Sequence, residues 1–172
     1  MKAPLKVALV VAVALCCTSA GESAAKAPPL CRADQLTASD LGAKAAGTRR
    51  VTTVELVNNS PQRCSLHGYP EVSFKRLSGS PFVATLNPTP HDQQYRTPPP
   101  ATLTLGSVDR ARFYLGYTAL DAQGNSCTPI STIVIGGFAN HSSLSLPDTI
   151  GPCDTLNVSP YFKNATASAK SR

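Results

Sequence analysis

The chain has 172 residues, of which 16 are Lys or Arg and 10 are Asp or Glu, with 15 prolines, six cysteines and no tryptophan. That length holds one domain of ordinary size with a real core. A formal charge of +6, with no basic cluster longer than Arg49-Arg50 or Lys75-Arg76, gives no ground for a nucleic-acid partner and suits only weak attraction to an anionic envelope.

The first segment reads as a secretory signal, residues 1–20: Lys2 and Lys6 form a positive start, Val7 to Leu15 is unbroken apolar sequence, and Thr18-Ser19-Ala20 offers small residues for cleavage. The apolar run is too short for a permanent membrane helix, so no transmembrane segment is expected once it is removed. Cleavage near Gly21 leaves 152 residues with a charge of +4; Ser23-Ala24-Ala25 is a second usable position. A lipoprotein signal is the alternative, because Cys16 and Cys17 follow the apolar run. Such a signal needs a small residue before the lipidated cysteine, whereas Leu15 precedes Cys16 and Cys16 precedes Cys17.

Residues 21–30, with Pro28-Pro29 near their end, form a flexible leader, and the domain runs over 31–162 with a frayed tail at 163–172. Outside the signal the cysteines are Cys31, Cys64, Cys127 and Cys153. An even set in an exported chain reads as two disulfides with three possible connectivities. Cys31 with Cys64 and Cys127 with Cys153 is preferred, since each pair then clips one end of the domain, at about 3 to 4 kcal/mol per bridge by chain entropy. A zinc site is disfavoured because no two of the four are spaced as C-x2-4-C and no histidine pair accompanies them.

Leu36 and Ala38 alternate with Thr37 and Ser39 as a short edge strand, and Gly42 to Gly47 is small and loop-like. Arg49 to Asn58 is dense in β-branched residues and is the clearest strand. Asn58-Asn59-Ser60-Pro61 turns the chain toward Cys64-Ser65-Leu66-His67-Gly68-Tyr69-Pro70, read as strand, corner and the start of a further strand, Glu71 to Lys75. Ser78 to Pro81 closes a hairpin into Phe82-Val83-Ala84-Thr85.

From Asn87 to Pro100 five prolines remove backbone donors, so this stretch cannot be an interior strand. It is expected to be a surface crossover, the functional alternative being a polyproline II surface that displays Tyr95 and Arg96. Leu103 and Leu105 alternate. Ala111, Phe113, Leu115 and Tyr117 then alternate with Arg110, Arg112, Tyr114 and Gly116 as an amphipathic strand. Further strands follow at Ser131 to Ile135, Leu144 to Leu146 and Leu156 to Ser159. About eight short strands and no credible helix predict an all-β domain of two packed antiparallel sheets.

At Cys64-Ser65-Leu66-His67-Gly68-Tyr69-Pro70 the chain resembles the bacterial exported family of domain of unknown function 4232. Cys31, Asn58 with Ser60, Cys64 with Leu66, Gly68, Tyr69 and Pro70, the strand around Phe113, Cys127 with Pro129, and Cys153 carry the resemblance over about residues 31–160. The resemblance implies an immunoglobulin-like antiparallel β-sandwich of secreted proteins or lipoproteins, with no catalytic residues to carry over. The family often has a Pro-Gly turn where this chain has Leu105-Gly106, and often a clear lipid-attachment signal that this chain lacks. Physically, Gly68 supplies a backbone angle that side chains disfavour, Pro70 stiffens the corner, and Tyr69 is expected as a core anchor.

No phosphate loop, dinucleotide fingerprint, calcium loop or G-x-S-x-G elbow is present. Leu146-Pro147-Asp148-Thr149 mimics part of a cell-wall sorting signal, but Ile150 replaces the expected glycine. The acceptors at Asn58, Asn140, Asn157 and Asn164 are expected to be unmodified in a bacterium. The expectation is therefore a monomeric, non-enzymatic binding or structural module, secreted or retained in the periplasm or envelope, with an envelope or extracellular partner and neither cofactor nor metal. The rival from another class is a secreted hydrolase using His67 or His91, which needs one of them within hydrogen-bond reach of a serine or carboxylate in a pocket. A lipid-anchored envelope accessory protein is a third reading.

Overall fold

The computed structural model describes residues 26–153 and 155–163; the signal segment, Cys16 and Cys17, the first part of the leader and the tail from Asn164 onward lie outside the described residues. Eleven strands follow one another: β1 (Leu36–Ala46), β2 (Arg49–Asn58), β3 (Cys64–His67), β4 (Glu71–Arg76), β5 (Pro81–Phe82), β6 (Thr85–Pro88), β7 (Thr102–Leu105), β8 (Arg110–Thr118), β9 (Ile130–Gly136), β10 (Leu144–Ile150) and β11 (Thr155–Val158). The helical elements among the described residues are two single 3-10 turns, Ala33–Gln35 and Ala139–His141, and neither is long or apolar enough to cross a membrane.

The strands form a five-stranded sheet in the order β1-β2-β8-β11-β6, a four-stranded sheet in the order β10-β9-β4-β5, and a small sheet pairing β3 with β7. The all-β class and the two disulfides agree with the sequence reading, but eleven strands in three sheets replace the eight expected in two. Pairing is also not antiparallel throughout, because β6 joins β11 in parallel, Thr85 opposite Thr155 through Pro88 opposite Val158. A proline fits there because β6 is the outermost strand and needs no donor on its free side.

Two further differences have local causes. Of the segment 42–47, expected as a loop, residues 42–46 belong to β1 and only Gly47 lies in the turn: a bulge between Asp40 and Ala43 shifts the register, the Asp40 side chain accepts the Gly42 N–H at 2.9 Å, and Ala43 to Ala46 then pair with Thr52 back to Arg49. Alanine-rich sequence reads as a loop because it carries no apolar alternation, yet an exposed edge strand needs none. The expected strand Phe82 to Thr85 divides into β5 and β6, one in each main sheet.

Alternation sets the core. Val54 and Leu56 of β2 and Ala111, Phe113, Leu115 and Tyr117 of β8 face Val72 and Phe74 of β4, Ile133 and Ile135 of β9 and Leu146 of β10 across one continuous apolar cluster. Asn58, fully buried at the end of β2, ties the layers together. Its Nδ2 donates to the carbonyls of Gln62, Leu105 and Gly106, and its Oδ1 accepts from the N–H and hydroxyl of Ser60. A buried amide satisfied this fully specifies its neighbours' positions.

The disulfides join Cys31 to Cys64 and Cys127 to Cys153, with Cα separations of 4.7 and 5.1 Å. The first is fully buried. Beside it the leader residues lie along β3, with Cys31 N–H donating to Ser65 O at 2.9 Å and Ser65 N–H to Pro29 O at 2.8 Å.

Gly68 sits at φ +57°, the left-handed region that favours glycine, and its carbonyl accepts the Tyr161 N–H at 2.9 Å. Tyr69 is half-buried rather than a core anchor. Tyr161, 5% exposed, takes that role, its ring edge-on to Phe113 at 5.9 Å. Burial pushes the Tyr161 hydroxyl well above the usual tyrosine range, with the Glu71 charge adding to it.

Candidate functional site

The outward side chains of β2 and β8 are Val51, Thr53 and Glu55 on one strand and Arg110, Arg112, Tyr114 and Gly116 on the next, paired antiparallel. In a bare sandwich this face would meet water. Here residues 89–97 of the proline-rich crossover fold back over it. The loop is braced internally: Thr97 N–H donates to Pro90 O at 2.9 Å, Asp92 N–H to Tyr95 O at 2.9 Å, Gln94 N–H to Asp92 Oδ1 at 3.0 Å, and His91 N–H to Thr89 Oγ1 at 3.2 Å. Pro90, within it, fixes the backbone angle at its start.

Two loop side chains point down onto the sheet. Tyr95, 6% exposed, stacks on Tyr114 at 5.1 Å, and Tyr114 stacks on Phe162 at 4.9 Å, making an aromatic row across the face. Burial, then the nearby Asp92 charge, pushes the Tyr95 hydroxyl well above its ordinary range. The Asp92 side chain is 1% exposed and accepts from Arg49 Nη2 at 2.5 Å and from Asn157 Nδ2. This approach depends on Gly116, where an added Cβ would lie 2.9 Å from Asp92 Oδ2 and 3.2 Å from Tyr95 Cε1.

A second carboxylate is buried on the same face. The Glu55 side chain, 4% exposed, accepts from Arg110 Nη1 at 2.9 Å and from Arg112 Nε at 2.8 Å, with Arg112 Nη2 2.7 Å away. Removing a carboxylate from water costs several kcal/mol, which only close, hydrogen-bonded cations offset. Three arginines serve two carboxylates, so the face keeps positive charge.

Between the loop and β1 this face opens as a cleft of about 260 Å³. Val51 and Thr53 with Arg112 and Tyr114 line it from the sheet, Leu41 and Lys44 from β1, and Gln94 and Tyr95 from the loop. Two polar atoms on this face, Arg49 Nε and Gln94 Oε1, are buried with no hydrogen-bond partner among the described residues. The cleft's lining offers cationic side chains and apolar walls, and pairs no nucleophile with a base.

The residues singled out from sequence lie elsewhere. His67 Nε2 is 3.2 Å from Ser65 Oγ, so one histidine does meet a serine. Ser65 is 2% exposed, however, and its hydroxyl also lies 3.2 and 3.1 Å from the carbonyls of Pro28 and Pro29, which cover it. The described cavities include neither residue in their linings. His91 is exposed on the loop surface. Tyr95, expected on display in the polyproline alternative, is instead turned inward, while Arg96 stays exposed.

A larger concavity of about 550 Å³ lies on the outer face of the four-stranded sheet, lined by Glu71, Ser73, Val134 and Gly136 with Leu30 and His141 at its edge. Its ionisable groups, Glu71 and His141, are exposed. No group of three or more His, Cys, Asp or Glu side chains able to hold a metal occurs among the described residues. The cleft under the loop was missed because Asp92, Gln94 and Lys44 are ordinary loop and edge residues in sequence. The available signal was Gly116, a lone glycine inside a strand pattern, which marks close approach of another segment.

The family model described as a domain of unknown function (DUF4232) matches residues 31–161, which contain the covering loop and every residue of the cleft. No curated protein and no solved structure gives a significant match to the chain.

Proposed function

We propose, for a chain that belongs to the family of domain of unknown function 4232, that the protein is an exported, non-enzymatic binding module with an immunoglobulin-like sandwich as its scaffold. Its ligand sits in the cleft between β1 and the proline-rich loop. The observation that carries this reading is the loop's docking: the Asp92–Arg49 pair and an aromatic row hold the loop over a sheet face, beside a cleft lined by Lys44, Arg112 and apolar side chains. Preorganised polar groups in an apolar concavity are what small-ligand recognition needs. The signal-like start of the sequence and the two disulfides support an exported location, either free or in the envelope.

The test is chemical-shift mapping of the 15N-labelled protein against fractionated small molecules and peptides from the envelope of its host. Shifts concentrated at Lys44, Thr53, Gln94 and Tyr114 support the reading. Shifts only around Glu71 and His141, or none with any fraction, sink it.

The Ser65–His67 contact favours one other reading, a hydrolase unmasked when the leader leaves β3. Covalent labelling of Ser65 by a fluorophosphonate probe, lost in His67→Ala, would establish it in place of the binding module.

A further inference from the structure

We infer that the Cys127–Cys153 disulfide is an exchange site for a low-molecular-weight thiol, and that an adduct on Cys153 is felt by the loop at residues 89–97. The two disulfides differ in reach. Cys31 and Cys64 are each 0% exposed, and the leader lies along β3 beside them. Cys127 and Cys153 are both partly exposed, and Ser126, Thr128 and Pro129 around Cys127 are exposed.

Two clefts meet at this second pair. Cys153 lines one of about 240 Å³ together with Arg49, Thr118, Thr155 and Asn157. Both cysteines line another of about 340 Å³, whose wall includes Arg76, Phe82 and Asp121. Exchange needs a path to one sulfur only, and Cys153 borders both openings. For Cys31–Cys64 the same attack requires the leader and β3 to part first, which is a local unfolding step.

The backbone holds the second pair in place without the sulfur bond. Cys153 N–H donates to Thr118 O at 3.0 Å and Cys127 N–H to Ala119 O at 3.2 Å, two successive carbonyls at the end of β8. Opening the bond therefore leaves both cysteines side by side and ready to close again. In the forward step the thiolate attacks Cys153 Sγ, a new S–S bond forms, and the Cys127–Cys153 bond breaks with its electron pair going to Cys127 Sγ, which takes a proton from water. A second small thiolate attacking the small thiol's own sulfur frees Cys153, so that the pair gains two electrons and two protons while two small thiols become one small disulfide. Attack by the Cys127 thiolate on Cys153 Sγ reverses the first step.

The connection to the loop is a run of contacts. Thr118 accepts the Cys153 N–H on its carbonyl and Arg49 Nη1, at 3.4 Å, on its hydroxyl; Arg49 Nη2 reaches Asp92 at 2.5 Å. Asn157, the other donor to Asp92, lines the same 240 Å³ cleft as Cys153. A thiol carried on Cys153 occupies that cleft and must displace one or both of the side chains that hold Asp92, and with it the loop.

The experiment treats the folded, oxidised, 15N-labelled protein with reduced glutathione at about pH 8, where thiolate is plentiful, and traps thiols with N-ethylmaleimide at intervals before peptide mapping. Glutathione is expected on Cys153 with Cys127 alkylated, at a rate at least about a hundredfold above any reaction of Cys31 or Cys64, and with the far-UV dichroism unchanged. The adduct is expected to shift the amides of Asp92, Gln94 and Tyr95. Cys127→Ser treated with oxidised glutathione should hold the adduct permanently and give the same loop shifts; should that variant fail to fold, trapping in the wild type decides alone. Opening of both disulfides at one rate, opening only in denaturant, an adduct trapped on Cys127 in place of Cys153, or an adduct that leaves the loop amides where they were overturns the inference.

Discussion

The two main sheets of this protein present the same kind of inner face and opposite kinds of outer face. Inward, each offers alternate Val, Leu, Ile and Phe to a shared core. Outward, the four-stranded sheet shows Glu71, Ser73 and Lys75 to water, whereas the five-stranded sheet is covered by residues 89–97 and buries Asp92, Glu55 and Tyr95 beneath or beside that cover. The first face lies open to water and carries the 550 Å³ concavity. The second holds charges in a poorly solvated layer, and the structure repays their desolvation with three arginines, one asparagine and an aromatic stack. Where a fold invests in a second polar layer that its hydrophobic core does not require, that layer is the place to look for function.

The comparison is most sharply tested by removing the pin of the covered face. Asp92→Ala leaves Arg49, a quarter exposed, and Asn157 without their acceptor, and a loss of about 2–4 kcal/mol is expected in urea unfolding. Lys75→Ala on the open face should stay within about 0.5 kcal/mol. Equal effects at the two positions would erase the distinction between the faces.

Gly116→Ala comes next, at about 1–3 kcal/mol, because the new methyl group must push Asp92 and Tyr95 off the sheet. Its signature is altered near-UV dichroism from the displaced Tyr95–Tyr114 stack with unchanged far-UV strand signal. An unaltered near-UV spectrum would show that the loop does not need that close approach. Glu55→Gln should cost about 1–2 kcal/mol, less than Asp92→Ala because Arg110 is 63% exposed and can turn to water. A loss as large as that of Asp92→Ala would mean that Glu55, and not the loop, anchors the face.

These differences also explain what could be read from sequence. The inner faces were legible: β2, β4, β8 and β9 follow from alternation of β-branched and aromatic residues, and the observed Cys31–Cys64 and Cys127–Cys153 pairs are the preferred one of the three connectivities that four cysteines left open. β1 was read too short because Ala43 to Ala46 need no pattern at an exposed edge, and β6 was hidden because a parallel partner, β11, lies some 70 residues away. The cleft was not legible. Arg112, Tyr114 and Gly116 are polar or small in alternation, as a solvent face would be, and nothing local says that Asp92 and Tyr95 return to cover them. Tyr161 escaped for the same reason: its ring packs on Phe113 and its N–H meets the Gly68 carbonyl, both far away in sequence.

The smallest expected effect concerns an acid buried without the arginine that Asp92 and Glu55 both have. Asp148 Oδ2 lies buried and unpartnered, and burial, followed by the Asp40 charge, holds its carboxyl above the usual range against the opposing pull of the Thr149 N–H. A raised acid pKa means that the folded state holds the proton more tightly than the unfolded one. Its contribution to stability is therefore complete below the unfolded value of about 3.9 and is lost as pH rises through the folded value. At neutral pH the wild-type protein carries that penalty and Asp148→Asn does not. The variant should melt slightly higher than wild type at pH 7, with an advantage that shrinks on acidification and vanishes near pH 3–4. Melting scans of the two proteins across that range check it: an advantage independent of pH would point to packing rather than charge, and a wild type more stable at pH 7 would mean that Asp148 has a cationic partner after all, placing it with the paired acids of the covered face.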